Sequence, residues 1–434
     1  AYHLPQKQLM DAIFEADARF ASSAYAVTQA RPERAILVGI DGAEGYDTLE
    51  ELAALAETAG VQVVGRSVQR RRAVDNATYI GTGKAEELAL DVNALEADLV
   101  IFDDELSAIQ MRNLEQSLGV PIIDRTMLIL DIFAMRAQSR EGKLQVELAQ
   151  LKYRLPRLLG MGRALSRQGA SGVGMRGPGE KKLEIDRRRI RRRIFELEQS
   201  LAEIEKQRGL RRERRLQGPV PMVALVGYTN AGKSTLLNRL SGSDVLAEDR
   251  LFATLDPVVR QVPLPSGGEC LLSDTVGFIN KLPHDLVRAF HSTLEEVRSA
   301  ALILHVIDCT SPYADVQARV VEGVLAQLGA ADTPRINVYN KTDAAQGPFA
   351  MRGESVRISA RTGDGVNELL ERVEQALNRR QVRVELVVPY DRYEAMRLLH
   401  ELGAIRQETH EPDGTHVVAL LDESQLWRVQ KALS

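Results

Sequence analysis

Gly227-Tyr-Thr-Asn-Ala-Gly-Lys-Ser234 sets two glycines, a lysine and a serine at the spacing that wraps main-chain amides around phosphate groups. It follows the apolar run Met222–Val226, so a strand should deliver the loop and a helix should leave it. In that arrangement the N–H groups of Asn230, Ala231, Gly232, Lys233 and Ser234 would face the α- and β-phosphates from the positive end of the helix, with Gly227 and Thr235 flanking the loop. Lys233 would reach the β- and γ-phosphates, and the Ser234 hydroxyl would ligate Mg2+. Asp274, at the end of the apolar strand Cys270–Leu272, would hold the metal from the other side. Gly277 lets its N–H approach the γ-phosphate, while Thr254 offers a third metal ligand and a further γ-phosphate contact. Lys233, Thr254 and Gly277 are thus the groups expected to act on the transferred phosphoryl, and Ser234, Thr254 and Asp274 the metal set.

The phosphate loop alone leaves ATP and GTP open. Asn340-Lys-Thr-Asp343, following the apolar run Arg335–Tyr339, decides between them. The Asp343 carboxylate can accept two hydrogen bonds from guanine N1–H and N2–H2, whereas adenine would leave it unpaired. Asn340 would bridge base and loop, Lys341 would lie over the ring, and the Ala360 N–H of Ser359-Ala360 would meet the guanine O6. Phe278 directly follows Asp274-Thr-Val-Gly277, where signalling GTPases carry a water-orienting glutamine. A phenyl ring can do no such thing, so unaided turnover should be slow and should await a partner that reorders residues 278–290. Asn230 leaves two readings: it holds a K+ ion beside the phosphates, or it only shapes the loop.

These groups need a scaffold. The chain has 434 residues, 44% of them hydrophobic and 27% charged, enough for several soluble domains. Two cysteines make no disulfide framework, and Cys270 and Cys309 both read as small core residues of an intracellular, cytoplasmic protein. Neither a membrane span nor a secretory leader is evident in the pattern. Residues 1–125 read as a parallel α/β domain, with strand-like runs at Ala35–Ile40, Val61–Val64, Leu99–Phe102 and Val120–Ile123. Within it, Gly81-Thr-Gly-Lys84 is either an anion-binding turn ahead of a helix or a plain structural turn. Residues 126–217 read as a long helical, coiled-coil hairpin, 218–380 as the P-loop GTPase domain, and 381–434 as a small α/β module without a catalytic constellation.

In the hairpin, Leu144, Leu148, Leu151 and Leu155 form one apolar seam, and Pro156 is expected to end or kink that helix. Leu183, Ile190, Ile194, Leu197, Leu201 and Ile204 form the facing seam. Between the helices runs the glycine-rich segment 169–180. Residues 181–215 carry fourteen basic against seven acidic residues, a local net of +7 in a chain of −4, which leaves −11 elsewhere. A basic run is often only a solvated face. Set against an acidic remainder and beside a glycine-rich tip, Arg163, Arg167, Arg176, Lys181, Lys182, Arg187, Arg188, Arg191 and Arg192 instead suit phosphate contacts with structured RNA. Few aromatics are interleaved, so base stacking is not indicated.

Together with the nucleotide motifs, Arg176-Gly-Pro-Gly-Glu180, Leu183-Glu184, Asp186-Arg187-Arg188, Gly142-Lys-Leu-Gln-Val-Glu-Leu148 and Phe252-Ala-Thr-Leu-Asp-Pro257 make the chain resemble the HflX family of GTPases from about residue 34 to 380. That resemblance implies a translation factor that binds the large ribosomal subunit or whole ribosome. It further implies splitting of stalled ribosomes, with the N-terminal region reaching toward the peptidyl-transferase centre, and a hydrophobic residue where others carry the catalytic glutamine. An ATP-linked activity is also ascribed to N-terminal regions of some members, for which Gly81-Thr-Gly-Lys84 is the candidate here. The leading expectation is therefore a monomeric GTP switch acting on ribosomal RNA. The competing ones are a GTP-regulated protein adaptor working through the hairpin, and a GTPase linked to tRNA modification.

Overall fold

The computed structural model describes residues 31–41, 48–70, 74–168, 178–216, 220–242, 251–252, 255, 258–281, 296–345, 347, 349–378, 382–402, 404–421 and 423–433. The chain divides into two compact units, residues 1–132 with 152–189, and residues 133–151 with 190–434.

The first unit contains β1 (Arg34–Asp41), α1 (Thr48–Thr58), β2 (Gln62–Arg70), α2 (Thr82–Ala94), β3 (Leu99–Phe102), α3 (Ala108–Leu118), β4 (Ile122–Asp124) and most of α4 (Arg125–Arg136). Its sheet has the order β2-β1-β3-β4, parallel throughout. β3 is buried along its whole length, as a continuous apolar run covered on both faces should be. α3 is fixed at both ends, by a capping box between Ser107 and Gln110 and by Gly119 in the left-handed conformation.

Buried charge organises the strand ends of this unit. Arg125 is 1% exposed and ion-pairs with Asp103 at 2.7 Å and with Glu51. Asp124 is fully buried and accepts from Leu106 N (3.1 Å), Met127 N (2.9 Å), Arg157 Nη2 (3.2 Å) and the Tyr153 hydroxyl. Desolvation and the Asp124 carboxylate both push the Tyr153 phenol up, so it serves as a donor at neutral pH.

α5 (Arg140–Gln168) and α6 (Pro178–Leu216) are the two long helices. α5 runs through Pro156, so of the two outcomes expected there, an end or a kink, the end is corrected. Tertiary contacts hold the helix beside the proline: Arg157 Nη2 donates to the Leu106 carbonyl at 3.0 Å and to Asp124 at 3.2 Å, while its guanidinium lies 3.3 Å from the Tyr153 ring centroid. Arg193 of α6 grips Glu147 of α5 in a bidentate pair at 2.7 and 2.9 Å. Of the expected seam residues, Leu148 and Leu197 are buried, while Leu144, Leu151, Leu155, Ile190, Ile194, Leu201 and Ile204 are half-buried; the side chain of Leu183 lies outside the described set.

The second unit holds a six-stranded sheet from β5 (Met222–Gly227), β6 (Val258–Pro263), β7 (Glu269–Asp274), β8 (Leu302–Asp308), β9 (Arg335–Asn340) and β10 (Ser355–Arg357). Its order is β10-β9-β8-β5-β7-β6, with only β6 antiparallel to its neighbour. α7 (Lys233–Ser241), α8 (Ala314–Gln327) and α9 (Val366–Asn378) belong to the same domain, whose core includes Leu225, Leu236, Leu304, Val338 and Leu369. The C-terminal module comprises β11 (Val382–Val388), α10 (Tyr393–Glu401), β12 (Ile405–Glu411), β13 (Gly414–Leu421) and α11 (Glu423–Leu433), with an antiparallel sheet in the order β11-β13-β12 and a core of its own around Leu399, Val417 and Val429. Among the described residues no helix is long and apolar enough to cross a membrane.

Candidate nucleotide site

Parallel strands aim their carboxyl ends at one edge of the sheet, and the expected residues gather there. β5 delivers the loop 227–232 and α7 begins at Lys233. Gly227 must be glycine because an added Cβ would lie 2.3 Å from the Val306 carbonyl oxygen of β8. Gly232 caps α7 at φ +91°, and a Cβ there would sit 2.2 Å from Asn340 Nδ2. Asn230 also takes positive φ, at 60°. These two left-handed residues turn the loop so that its amides face inward, a cradle for an anion at a helix N-terminus.

Lys233 is 6% exposed, and its Nζ donates to the carbonyls of Tyr228 (3.0 Å) and Gly227 (3.3 Å). Burial pulls its pKa down to about 8, partly opposed by the Asp274 carboxylate. Ser234 Oγ donates to Asp274 Oδ2 at 2.7 Å, so the hydroxyl and the carboxylate of the expected metal pair are in contact. A hydroxyl and a buried carboxylate are hard oxygen donors, the kind Mg2+ selects. Thr235 lies half-buried in the first turn of α7. Gly277 packs against the loop so closely that a Cβ would be 2.8 Å from Thr229 Cα and 3.1 Å from Lys233 Nζ. Thr254 lies outside the described residues.

Phe278 is 1% exposed and is held by its main chain, its N–H donating to Gly227 O (3.1 Å) and its carbonyl accepting from Thr229 N (2.7 Å). Asn280 N donates to the Tyr228 hydroxyl at 2.7 Å. On the other side, Thr229 Oγ1 accepts from Phe252 N at 3.0 Å, and Phe252 sets its ring edge-on to Phe133, 4.7 Å between centroids. Tyr228 and Thr229 thus join the phosphate loop to both flanking segments. Sequence reasoning passed over them because those loop positions carry no side-chain requirement.

The base-recognition loops are braced from within. Asn340 is 2% exposed, its Nδ2 donates to Ala231 O (2.8 Å) and its Oδ1 accepts from Ala360 N (2.9 Å). The Ala360 amide, expected to face guanine O6, is here given to Asn340. Asp343 Oδ1 accepts from Ser359 Oγ at 2.7 Å, and Oδ2 pairs with Arg361 at 2.5 Å. The Ser359 hydrogen bond above all, with Arg361, holds this carboxyl below the usual carboxylate range. Lys341, at φ 67°, is turned to pair with Asp308 at 2.8 Å. Arg361 carried no signal in the sequence. Asp308 did, since it closes the apolar run of β8 just as Asp274 closes that of β7.

Of the basic set, Arg188, Arg191 and Arg192 are exposed on α6 and Arg187 is half-buried. Arg188 pairs with Glu184 at 3.0 Å, a surface contact of little energetic weight. Lys181 and Lys182 lie in α6, and Arg163 and Arg167 in α5, with side chains outside the described set; Arg176 is outside it altogether. Cys270 is buried as expected, whereas Cys309 is only half-buried because it falls one residue beyond β8.

Three family profiles match the chain: a GTP-binding GTPase N-terminal region over residues 46–134, a GTP-binding GTPase middle region over 136–215, and a 50S ribosome-binding GTPase over 222–341. Proteins called GTPase HflX are similar over most of its length. The one from Caldanaerobacter subterraneus subsp. tengcongensis is 55% identical over 89% of this chain and 90% of its own. That from Lacrimispora saccharolytica is 48% identical over 89% and 93%, and that from Escherichia coli 43% over 88% and 92%.

Proposed function

The chain belongs to the HflX family of GTPases, and from that premise we propose that it is a GTP-driven switch that binds the large ribosomal subunit or whole ribosome and promotes its splitting or rescue. The observation that carries this reading is the 50S ribosome-binding GTPase match over residues 222–341, joined to a helix, α6, whose basic face is solvent-exposed. We assign the parts as an N-terminal domain to residue 125, an RNA-contacting hairpin over 126–217, the G domain over 218–380 and a C-terminal module, working as a cytoplasmic monomer.

In GTP hydrolysis the γ-phosphoryl passes to water, and the protein's task is positioning and charge. The amides of the 230–234 loop and Lys233 Nζ offset charge on the phosphates, while Asp343, kept ionised by Ser359, selects guanine. Ser234 and Asp274, with Thr254, would hold Mg2+, which when bound supplies charge neutralisation at the β- and γ-oxygens. Asn230 would hold K+ beside the same phosphates; equal turnover in K+ and Na+ at matched ionic strength rejects that assignment. Phe278 offers no polar group to orient water, so turnover alone should be on the order of 10⁻⁴–10⁻² s⁻¹ until ribosome contact rearranges the 278–281 segment.

The test is co-sedimentation of the chain with purified large subunits in the presence of GDP, GTP or a non-hydrolysable GTP analogue, across a salt series. Retention with the analogue, steep loss of binding with salt, and GTP turnover stimulated by subunits are expected. Nucleotide-independent or salt-insensitive binding would instead support the protein-adaptor reading.

A further inference from the structure

The C-terminal module carries a hairpin whose tip gathers side chains of metal-ligating type. β12 ends at Glu411 and β13 begins at Gly414, with Pro412 and Asp413 as the turn between them. Register sets Glu411 opposite Gly414 and His416 opposite Thr409, so Glu411 and His416 are diagonal neighbours on one face of the sheet. The opposite face is the one that takes Thr415, Val417 and Ala419 into the core, and it carries His410 across from Thr415.

Two contacts brace the tip. Gly414 takes φ +146°, and a Cβ there would stand 2.7 Å from the Val388 carbonyl oxygen, so the turn is pressed against the end of β11. The Tyr390 hydroxyl, two residues past β11, donates to the Glu411 carbonyl at 2.7 Å.

Among the described residues, Glu411, Asp413 and His416 are the one group of three such donors whose ligand atoms all lie within 4.8 Å of one another. His416 Nε2 is 3.1 and 3.3 Å from the two Asp413 oxygens and 3.8 Å from Glu411 Oε2. Donors held about 2.0–2.2 Å from a tetrahedral ion stand about 3.3–3.6 Å apart, so the imidazole is near ligand spacing from both carboxylates. A single Nε2–H can satisfy one carboxylate and not both, whereas one cation between the three groups meets all of them. Glu411 and Asp413 are exposed and His416 is half-buried, so an ion reaches them without disturbing the core.

We propose that this hairpin tip binds one divalent ion of the zinc class through His416 Nε2, a Glu411 oxygen and an Asp413 oxygen, with water completing the coordination. The imidazole decides the class, because Mg2+ and Ca2+ favour all-oxygen shells while zinc-like ions accept nitrogen. The ring hydrogen is carried on Nδ1, which leaves the Nε2 lone pair as the ligand, and the two carboxylates balance the charge of the ion. The site lies within the C-terminal module and owes nothing to the nucleotide loops or to a ribosomal partner.

The test uses the full chain loaded with GDP and Mg2+, with Zn2+ as the probe. Calorimetry should give a site with Kd below about 100 μM that about 5 mM Mg2+ does not displace. Histidine-selective 15N NMR should show the His416 Nε2 resonance moving as Zn2+ is added, a readout on the unaltered chain that needs no variant to fold. His416→Ala and Asp413→Asn should each weaken that site at least about tenfold, while His410→Ala, on the opposite face, should leave it unchanged. GDP affinity should be the same in all three variants. No Zn2+ site tighter than about 100 μM, displacement by Mg2+, a site undiminished by His416→Ala, or an equal loss on His410→Ala overturns the proposal.

Discussion

Replacing Asn340 by alanine tests the brace that joins the phosphate loop to the base loop. The side chain is 2% exposed and makes two hydrogen bonds to main-chain groups, to Ala231 O at 2.8 Å and from Ala360 N at 2.9 Å. Truncation strands a carbonyl and an amide in a dry interior, at about 1–3 kcal/mol each. Water reaching the widened space relieves part of this, leaving a loss of about 3 kcal/mol. For a domain of this size that lowers Tm by about 6–12 °C. GDP affinity should fall with it by more than about tenfold, because both stranded groups stand on loops that hold the nucleotide. The assay is thermal unfolding at a fixed excess of GDP, together with titration of a fluorescent GDP analogue. Asn340→Asp separates hydrogen bonding from volume, since it keeps an acceptor for Ala360 N but sets a carboxylate against the Ala231 carbonyl. It should be at least as damaging as alanine. A midpoint within about 2 °C of the parent for Asn340→Ala, or a milder effect of Asn340→Asp, refutes the reasoning.

Asp343→Asn removes the acceptor pair offered to guanine and should cost GTP at least about 100-fold in affinity, with xanthosine triphosphate gaining; competition titrations read both, and an unchanged preference for guanine contradicts the assignment. Stability should fall as pH drops from the unfolded histidine range near 6.5 toward His305's folded value of about 3, because across that window the unfolded chain takes up a proton that the buried ring refuses. Between pH 6.5 and 5 that is at most about 2 kcal/mol, and urea midpoints for the parent and His305→Phe should converge over this interval. Asp124→Asn strips the charge that four donors share and should loosen α5 from the first unit's sheet, seen as faster amide exchange around Tyr153; unchanged protection there argues against Asp124 as an anchor.

The strand-loop-helix of the phosphate site was legible because its chemistry demands fixed spacing, and glycine at 227 and 232 answers contacts that only glycine permits. Partner choice was not legible. Ala360 N–H has two nearby acceptors in principle, a base oxygen and Asn340 Oδ1, and no residue pattern says which one takes it. Arg361 was equally silent, an exposed arginine one place after a motif. β2 runs to Arg70, well past the apolar run Val61–Val64, because its outer half is a mixed polar strand whose hydrogen bonds to β1 outweigh its composition. Pro156 shows the reverse case, in which the helix continues past a proline beside Arg157, whose guanidinium is tied to Asp124 and to the Leu106 carbonyl.

The main-chain grip on Phe278 has a consequence for variation and for opening. An amide and a carbonyl do the holding, so they are indifferent to what side chain the residue bears, and that ring is free to be chosen for the interior it fills. The same stitching is continued by Asn280 to Tyr228, so three hydrogen bonds tie the segment to the phosphate loop. Any partner that swings this segment away from the phosphate loop has to part those three bonds, and its binding must supply what they contribute.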